Sequence, residues 1–164
     1  FGALRLTCAI LPSMIARGRG TIVNVSSILG AIPCPANARY SATKAALDAF
    51  THALRGEVAH HGVRVVVFRP SHTETEQARH ARYDGVPSLP VAYVVGELVR
   101  AIDRAPRSTA ASPVFRTLLR LAVIFPVWAE RQMAGTTRAL VRELEALPAA
   151  AQGASTRSEP RTTP

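Results

Sequence analysis

Two β-branched runs on either side of one long helical pattern constrain this chain more than anything else in it. Thr21-Ile22-Val23-Asn24-Val25 is bounded by Gly20 and the Ser26-Ser27 pair, and Val63-Arg64-Val65-Val66-Val67-Phe68 follows Gly62. Both read as buried strands. Between them, from about Tyr40 to His60, apolar residues recur at helical spacing: Ala42, Ala45, Ala46, Leu47, Ala49, Phe50, Leu54 and Val58. Strand, long helix, strand with short connections is a βαβ unit, so the strands are expected to be parallel with a right-handed crossover. Both strands are apolar on both faces, which suits a sheet covered by helices on each side. The fold class is α/β.

The flanks extend the same plan. Phe1, Leu4, Leu6, Ile10, Leu11, Met14 and Ile15 predict a helix over 1–17, disturbed at Pro12 and ended by Gly18 and Gly20. A loop rich in Gly, Pro and Asn spans Gly30 to Asn37. Beyond Pro70 a polar stretch runs to about Pro87, followed by an amphipathic helix from about Pro90 to Arg104. An apolar segment covers Val114 to Met133, broken at Pro126, and a last helix is expected from about Thr136 to Leu147. Residues 148–164 are Pro, Ala, Ser, Thr and Arg without periodicity, and are expected to be a disordered tail.

At 164 residues, 48% apolar and 19% charged, the composition suits one core-forming domain. No apolar run reaches the 18 or so residues of a spanning helix, and Phe1 to Thr7 lack the basic start of a signal peptide. Cys8 and Cys34 are too few for a disulfide scaffold, so a reducing cytoplasm is the simplest location. Cys8 is expected to pack on its helix and Cys34 to be exposed in its loop. The net charge of +9 does not imply nucleic-acid binding, because the arginines are scattered and little interleaved with aromatics. Lys44 is the only lysine among 20 basic residues. No metal site is expected: His60 and His61 are adjacent, should point apart, and have no partner at ligand spacing. They suit the end of the helix before Gly62 instead.

Tyr40-Ser41-Ala42-Thr43-Lys44 sets a phenol and an ammonium one turn apart on one helix face. A tyrosine with a reference pKa of about 10 is a poor proton donor and acceptor at neutral pH, and an adjacent cation favours its phenolate. By itself the pair is an ordinary solvated face. Its context is not ordinary: Ser27, thirteen residues earlier, ends the first strand, and Pro70-Ser71-His72-Thr73-Glu74-Thr75 leaves the second. Open α/β sheets place their sites at that edge.

Gly20-Thr-Ile-Val-Asn-Val-Ser-Ser27, Gly30, Tyr40-Ser-Ala-Thr-Lys44, Gly62-Val-Arg-Val and Pro70 through Thr75 closely resemble the short-chain dehydrogenase/reductase family. The resemblance runs from Phe1 to Thr75 and more loosely to Arg107. It implies a partial Rossmann-like, doubly wound parallel sheet with a helical C-terminal extension. It also implies that Tyr40 is the catalytic acid/base, that Lys44 tunes it and binds the nicotinamide ribose, and that Ser27 orients the substrate carbonyl. Pro70, Thr73 and Thr75 match the segment contacting the nicotinamide end of NAD or NADP. Ser26 should face the other side of the strand. Ser71 stands where the family usually has Gly. Nothing in the chain resembles the family's glycine-rich first turn, its cofactor-selecting residue or its N-A-G motif. Residues 1–147 are therefore expected to be the C-terminal catalytic half of a member of roughly 250 or more residues, inactive without the dinucleotide-binding half.

The implied activity is NAD(P)-dependent interconversion of an alcohol with a ketone or aldehyde. Ile28, Leu29 and Ala31 after the catalytic serine would make an apolar substrate wall. The alternative is a non-catalytic, truncated interaction or membrane-surface module. A homodimer or homotetramer is implied by the family. For Val114–Met133, packing on the domain body is favoured over a substrate lid or a membrane-surface helix, although Trp128 and Arg116, Arg120 and Arg131 suit the last.

Overall fold

Strand β2 (Val63–Arg69) runs through the middle of the sheet, and Val66 and Val67 are wholly removed from solvent. The computed structural model describes residues 2–75, 88–104, 106, 108–110, 113–136, 138 and 142. Strand β1 (Gly20–Val25) pairs with β2 in parallel, from Gly20 opposite Val63 to Val25 opposite Phe68. Strand β3 (Ser108–Ala110) pairs in parallel on the other side, Val67 opposite Ser108 to Arg69 opposite Ala110. The order among the described strands is β1-β2-β3. The strand periodicity had not revealed β3, because three residues are too few to display an alternation.

Alternation along β2 sends its side chains into two cores. On one face Val63 and Val65 join Ile22 of β1 with Leu54 and Val58 of helix α3 (Ala38–Val58). Leu11, Met14 and Ile15 of helix α1 (Gly2–Ala16) close that core from outside. On the opposite face Val66 and Phe68 pack against Val94, Leu98 and Ala101 of helix α4 (Val91–Arg104). Helices thus cover both faces, as the apolar strands required. Strand β1 departs from that pattern: Asn24 is a buried polar residue on the α3 face, and Val25 is exposed. Burial of Asn24 is compensated, since its Nδ2 donates to Thr51 Oγ1 at 2.8 Å while Thr51 donates to the Leu47 carbonyl.

Local details bear on several of these expectations. Helix α1 continues through Pro12, and its end is made by Gly18 at φ +65°. The loop after β1 starts with a single turn of helix, α2 (Ile28–Ala31). Helix α3 passes into a short 3-10 turn (Ala59–His61) before Gly62, whose φ is +71°. The His60 and His61 rings lie 3.9 Å apart between centroids, so they stack at a tilt instead of diverging. Among the described residues no cluster could hold a metal ion. Pro126 divides the later apolar segment into helices α5 (Pro113–Ile124) and α6 (Pro126–Thr136). Most of the expected Thr136–Leu147 helix and all of the tail from 148 lie outside the described residues.

Candidate active site

The C-terminal ends of β1 and β2 are fastened to each other and to the first turns of α3. Ser26 N–H donates to the Phe68 carbonyl at 2.8 Å, which prolongs the ladder by one residue. Ile28 N–H donates to the Pro70 carbonyl at 3.4 Å. Lys44 Nζ donates to the Val25 carbonyl at 3.1 Å, and Ser26 Oγ donates to the carbonyl of Lys44 at 3.3 Å. Strand end and helix therefore hold each other through two bonds in opposite directions. Helix α2 approaches α3 closely at the same level, because a Cβ on Gly30 would stand 2.9 Å from the Lys44 carbonyl carbon.

Tyr40 and Lys44 are one helical turn apart, with the ammonium 5.7 Å from the centre of the phenol ring. Tyr40 is exposed, in the first turn of α3. The turn leading to it is tight: Asn37 N–H donates to the Cys34 carbonyl at 3.1 Å, and Ala36 takes φ +64°. Pro35 and a residue with positive φ at the two central positions are the pattern of a type II turn, where glycine is the usual second residue. Ser27 is buried and caps α2, its Oγ accepting from Leu29 N–H at 3.2 Å. An oxygen used as acceptor there still has its own O–H to donate. Ser26 Oγ bonds to α3 and Ser27 Oγ to α2.

The second loop leaves β2 beside them. Pro70 is half-buried, Ser71 is buried, and Ser71 Oγ has no hydrogen-bond partner among the described residues. Thr73 Oγ1 donates to the Ser71 carbonyl at 2.9 Å, and Thr73 bridges to Leu89. Thr75 is exposed, its N–H bonded to the Thr73 carbonyl. Of the expected wall, Leu29 is buried while Ile28 and Ala31 are half-buried. Two cysteine expectations reverse. Cys8 is exposed, and Cys34 is buried, its N–H donating to Ser41 Oγ. Burial pushes the Cys34 thiol up from its ordinary value, opposed by a hydrogen bond with Asn37.

One cluster was missed in the sequence. Asp48 Oδ2 accepts from Arg69 Nε at 2.8 Å in a buried ion pair. His52 lies one turn further along α3, with Nδ1 3.0 Å from Arg55 and Nε2 3.4 Å from Arg69. A neutral imidazole has one acceptor nitrogen, so only one of these contacts is a hydrogen bond, and the shorter fits better. Desolvation pushes the His52 imidazole below its ordinary value, Arg55 and Arg69 push the same way, and Asp48 opposes them. The spacing of Tyr40, Lys44, Asp48 and His52, four residues each time, was the available signal.

A parallel sheet covered by helices on both faces, with Ser27 just beyond the C-terminal end of β1 and Tyr40 and Lys44 on the helix that follows, is the arrangement of a Rossmann-like α/β protein. The chain belongs to the short chain dehydrogenase family, whose family model matches residues 1–84. It is 36% identical over 112 residues to a dehydrogenase/reductase SDR family protein 7-like from Anopheles gambiae, covering 68% of this chain and 34% of that protein. It is 43% identical over 75 residues to the uncharacterized oxidoreductase YbbO of Escherichia coli K12, covering 46% of this chain and 28% of that one. A short chain dehydrogenase from Burkholderia cenocepacia, crystallised with NADP, superposes with a TM-score of 0.72 at 26% identity, over 81% of this chain and 54% of that one. The chain thus spans about a third of the length of these curated relatives.

Proposed function

We propose that this chain carries the catalytic, substrate-side half of an NAD(P)-dependent oxidoreductase interconverting an alcohol with a ketone or aldehyde. The observation that carries this is Lys44, whose ammonium is 5.7 Å from the Tyr40 ring centre and donates to the Val25 carbonyl at the C-terminal end of β1. In the reducing direction Tyr40 Oη gives its proton to the carbonyl oxygen as that oxygen gains charge. Ser27 Oγ donates a hydrogen bond to the same oxygen and orients it. Lys44 stabilises the phenolate left behind, and its compact ammonium can serve tyrosine and a ribose hydroxyl together. In oxidation the Tyr40 phenolate takes the alcohol's proton back.

The residues present suit the nicotinamide-ribose end of the cofactor. Lys44 and Tyr40 offer a cation and a hydroxyl, and the segment with Pro70, Thr73 and Thr75 holds a buried Ser71 hydroxyl without a partner among the described residues. The chemistry a bound nicotinamide supplies is hydride exchange with the carbonyl carbon. The pyrophosphate and adenosine would be held by residues outside this chain, so the 164 residues alone would be inactive. Ile28, Leu29 and Ala31 favour an apolar substrate. Two free cysteines suit a cytoplasmic setting, and a homodimer or homotetramer would use α1 and α3.

The test is turnover of a panel of alcohols and ketones by the protein translated from the complete reading frame that contains this chain. Ser27→Ala should lower turnover by at least about 100-fold while leaving cofactor affinity near the parental value. Ser26→Ala, which removes a bond to α3 only, should retain most of the turnover. Equal damage from the two changes would overturn the assignment of Ser27.

A further inference from the structure

The Val114–Met133 segment is not used by the chemistry above, and only part of it is packed. Helix α5 turns Ala122 into the body of the protein with Leu118 and Leu119 half-buried, and α6 turns in Ala129 and half-buried Met133. Val114, Leu121 and Ile124 face outward at i, i+7 and i+10, a single stripe along α5. At the corner all five residues from Ile124 to Trp128 are exposed, with Ile124 65%, Phe125 55%, Val127 59% and Trp128 43% exposed. Packing on the domain body therefore does not account for them. Pro126 opens α6 at a helix start, where its missing N–H loses no bond. Scattered exposed apolar residues are ordinary, but a contiguous apolar projection marks a binding surface.

Its charges say what kind. Arg120 lies one turn before Ile124 and Arg131 one turn after Val127 and Trp128, both exposed, so a guanidinium flanks the corner on each helix. Arg116 lies at the rim, 3.7 Å from Glu97. Glu130 is the only acid between Pro113 and Thr136. Arginine stems can lie along apolar surface while their heads reach outward, and tryptophan favours the boundary between headgroups and acyl chains. We propose that the α5–α6 corner docks on an anionic lipid surface, with Ile124, Phe125, Val127 and Trp128 entering the boundary and Arg120 and Arg131 meeting lipid phosphates. No helix of the described residues is long and apolar enough to cross a membrane, so this is docking at the surface. Helix α5 also packs against α2, which follows Ser27. A lipid-dissolved alcohol or ketone would thus meet the site from the docked side; that consequence rests on the oxidoreductase reading, and the docking does not.

Trp128 is the only tryptophan in the sequence, so its fluorescence reports on the corner alone. The chain is titrated with vesicles of phosphatidylcholine, and of phosphatidylcholine with phosphatidylglycerol. The expected result is a blue shift and quenching by bromine-labelled acyl chains, much stronger on the anionic vesicles. Phe125→Asp should weaken that binding at least about tenfold, and Arg120→Gln and Arg131→Gln about fivefold each on anionic vesicles only. Val99→Asp, on the exposed face of α4, should change nothing. Should Phe125→Asp fail to give a helical circular dichroism spectrum, Val127→Ser takes its place with the same direction expected. Trp128 emission indifferent to anionic vesicles, or binding unchanged in the corner variants, would overturn the proposal. So would emission already blue and protected without lipid, with a dimer mass in the ultracentrifuge, since a second copy then covers the corner. Tyr40→Phe in the protein from the complete reading frame separates the two readings: vesicle binding should persist while turnover is lost.

Discussion

Asp48 on α3 and Arg69 at the end of β2 pair at 2.8 Å, each side chain only 9% exposed. Asp48 continues the stripe of Tyr40 and Lys44 by one more turn, and Arg69 immediately precedes Pro70. The pair therefore ties the helix of the proposed acid/base to the strand that delivers the proposed cofactor loop. Among the described residues Asp48 Oδ1 has no hydrogen-bond partner, so the pair is not fully compensated for its burial.

Removing Asp48 takes the paired carboxylate away from the buried Arg69 guanidinium. Asp48→Ala should cost about 3–5 kcal/mol in urea unfolding. The double change Asp48→Leu with Arg69→Met should recover most of that loss, because apolar residues of similar volume need no charge partner. A double variant as unstable as Asp48→Ala would show that the pair does more than compensate its own burial.

The neighbouring His52 gives a pH dependence with a defined sign. Its imidazole is held below the ordinary value of 6.5 in the folded chain. As pH falls through that value, the unfolded chain takes up a proton that the folded chain does not, so stability falls. The decline ends once pH drops below the folded value. Urea midpoints measured between about pH 7 and pH 5 should slope less in His52→Gln than in the parent. An identical slope would mean that other groups set the pH dependence.

The glycines offer a graded test of the α2–α3 contact. A methyl on Gly30 would stand 2.9 Å from backbone of Lys44, so Gly30→Ala should cost about 1–3 kcal/mol. Gly62→Ala should cost more, because φ is +71° and the methyl would lie 2.1 Å from the Gly18 carbonyl oxygen. Gly56→Ala meets open space within α3 and should gain about 0.5–1 kcal/mol. Thermal unfolding of the three variants checks the order.

Much of this was legible in the residues. The β-branched runs and the Tyr40–His60 periodicity implied the parallel βαβ unit, and β2 proved buried on both faces because α3 and α4 cover it. Tyr40 and Lys44 were legible because helical spacing alone sets them on one face. What escaped was long-range or very short. Strand β3 exists through its pairing with the end of β2, not through a pattern of its own. The Asp48–Arg69 pair joins residues 21 apart, and the buried Asn24 finds its acceptor on Thr51, 27 residues away. Cys34 sat in a Pro- and Asn-rich stretch that suggested exposure. The turn folds it inward against Ser41 and Asn37 instead.

That reversal is measurable. In the native chain one thiol, Cys8, should react promptly with Ellman's reagent near neutral pH, while Cys34 stays protonated and shielded until denaturant is added. Cys8→Ser should leave almost no fast reaction. Two fast thiols in the parent chain would contradict the burial of Cys34.

The most direct test of the proposed chemistry is the turnover of Tyr40→Phe in the protein from the complete reading frame, with any accepted alcohol or ketone and NAD(P)(H). The change removes one oxygen and keeps the ring beside Lys44, so folding and cofactor affinity should stay close to the parent. Turnover should fall by at least the ~10²–10⁴-fold expected of a positioned acid/base group. Turnover close to the parental rate would contradict the assignment of Tyr40 as the proton donor.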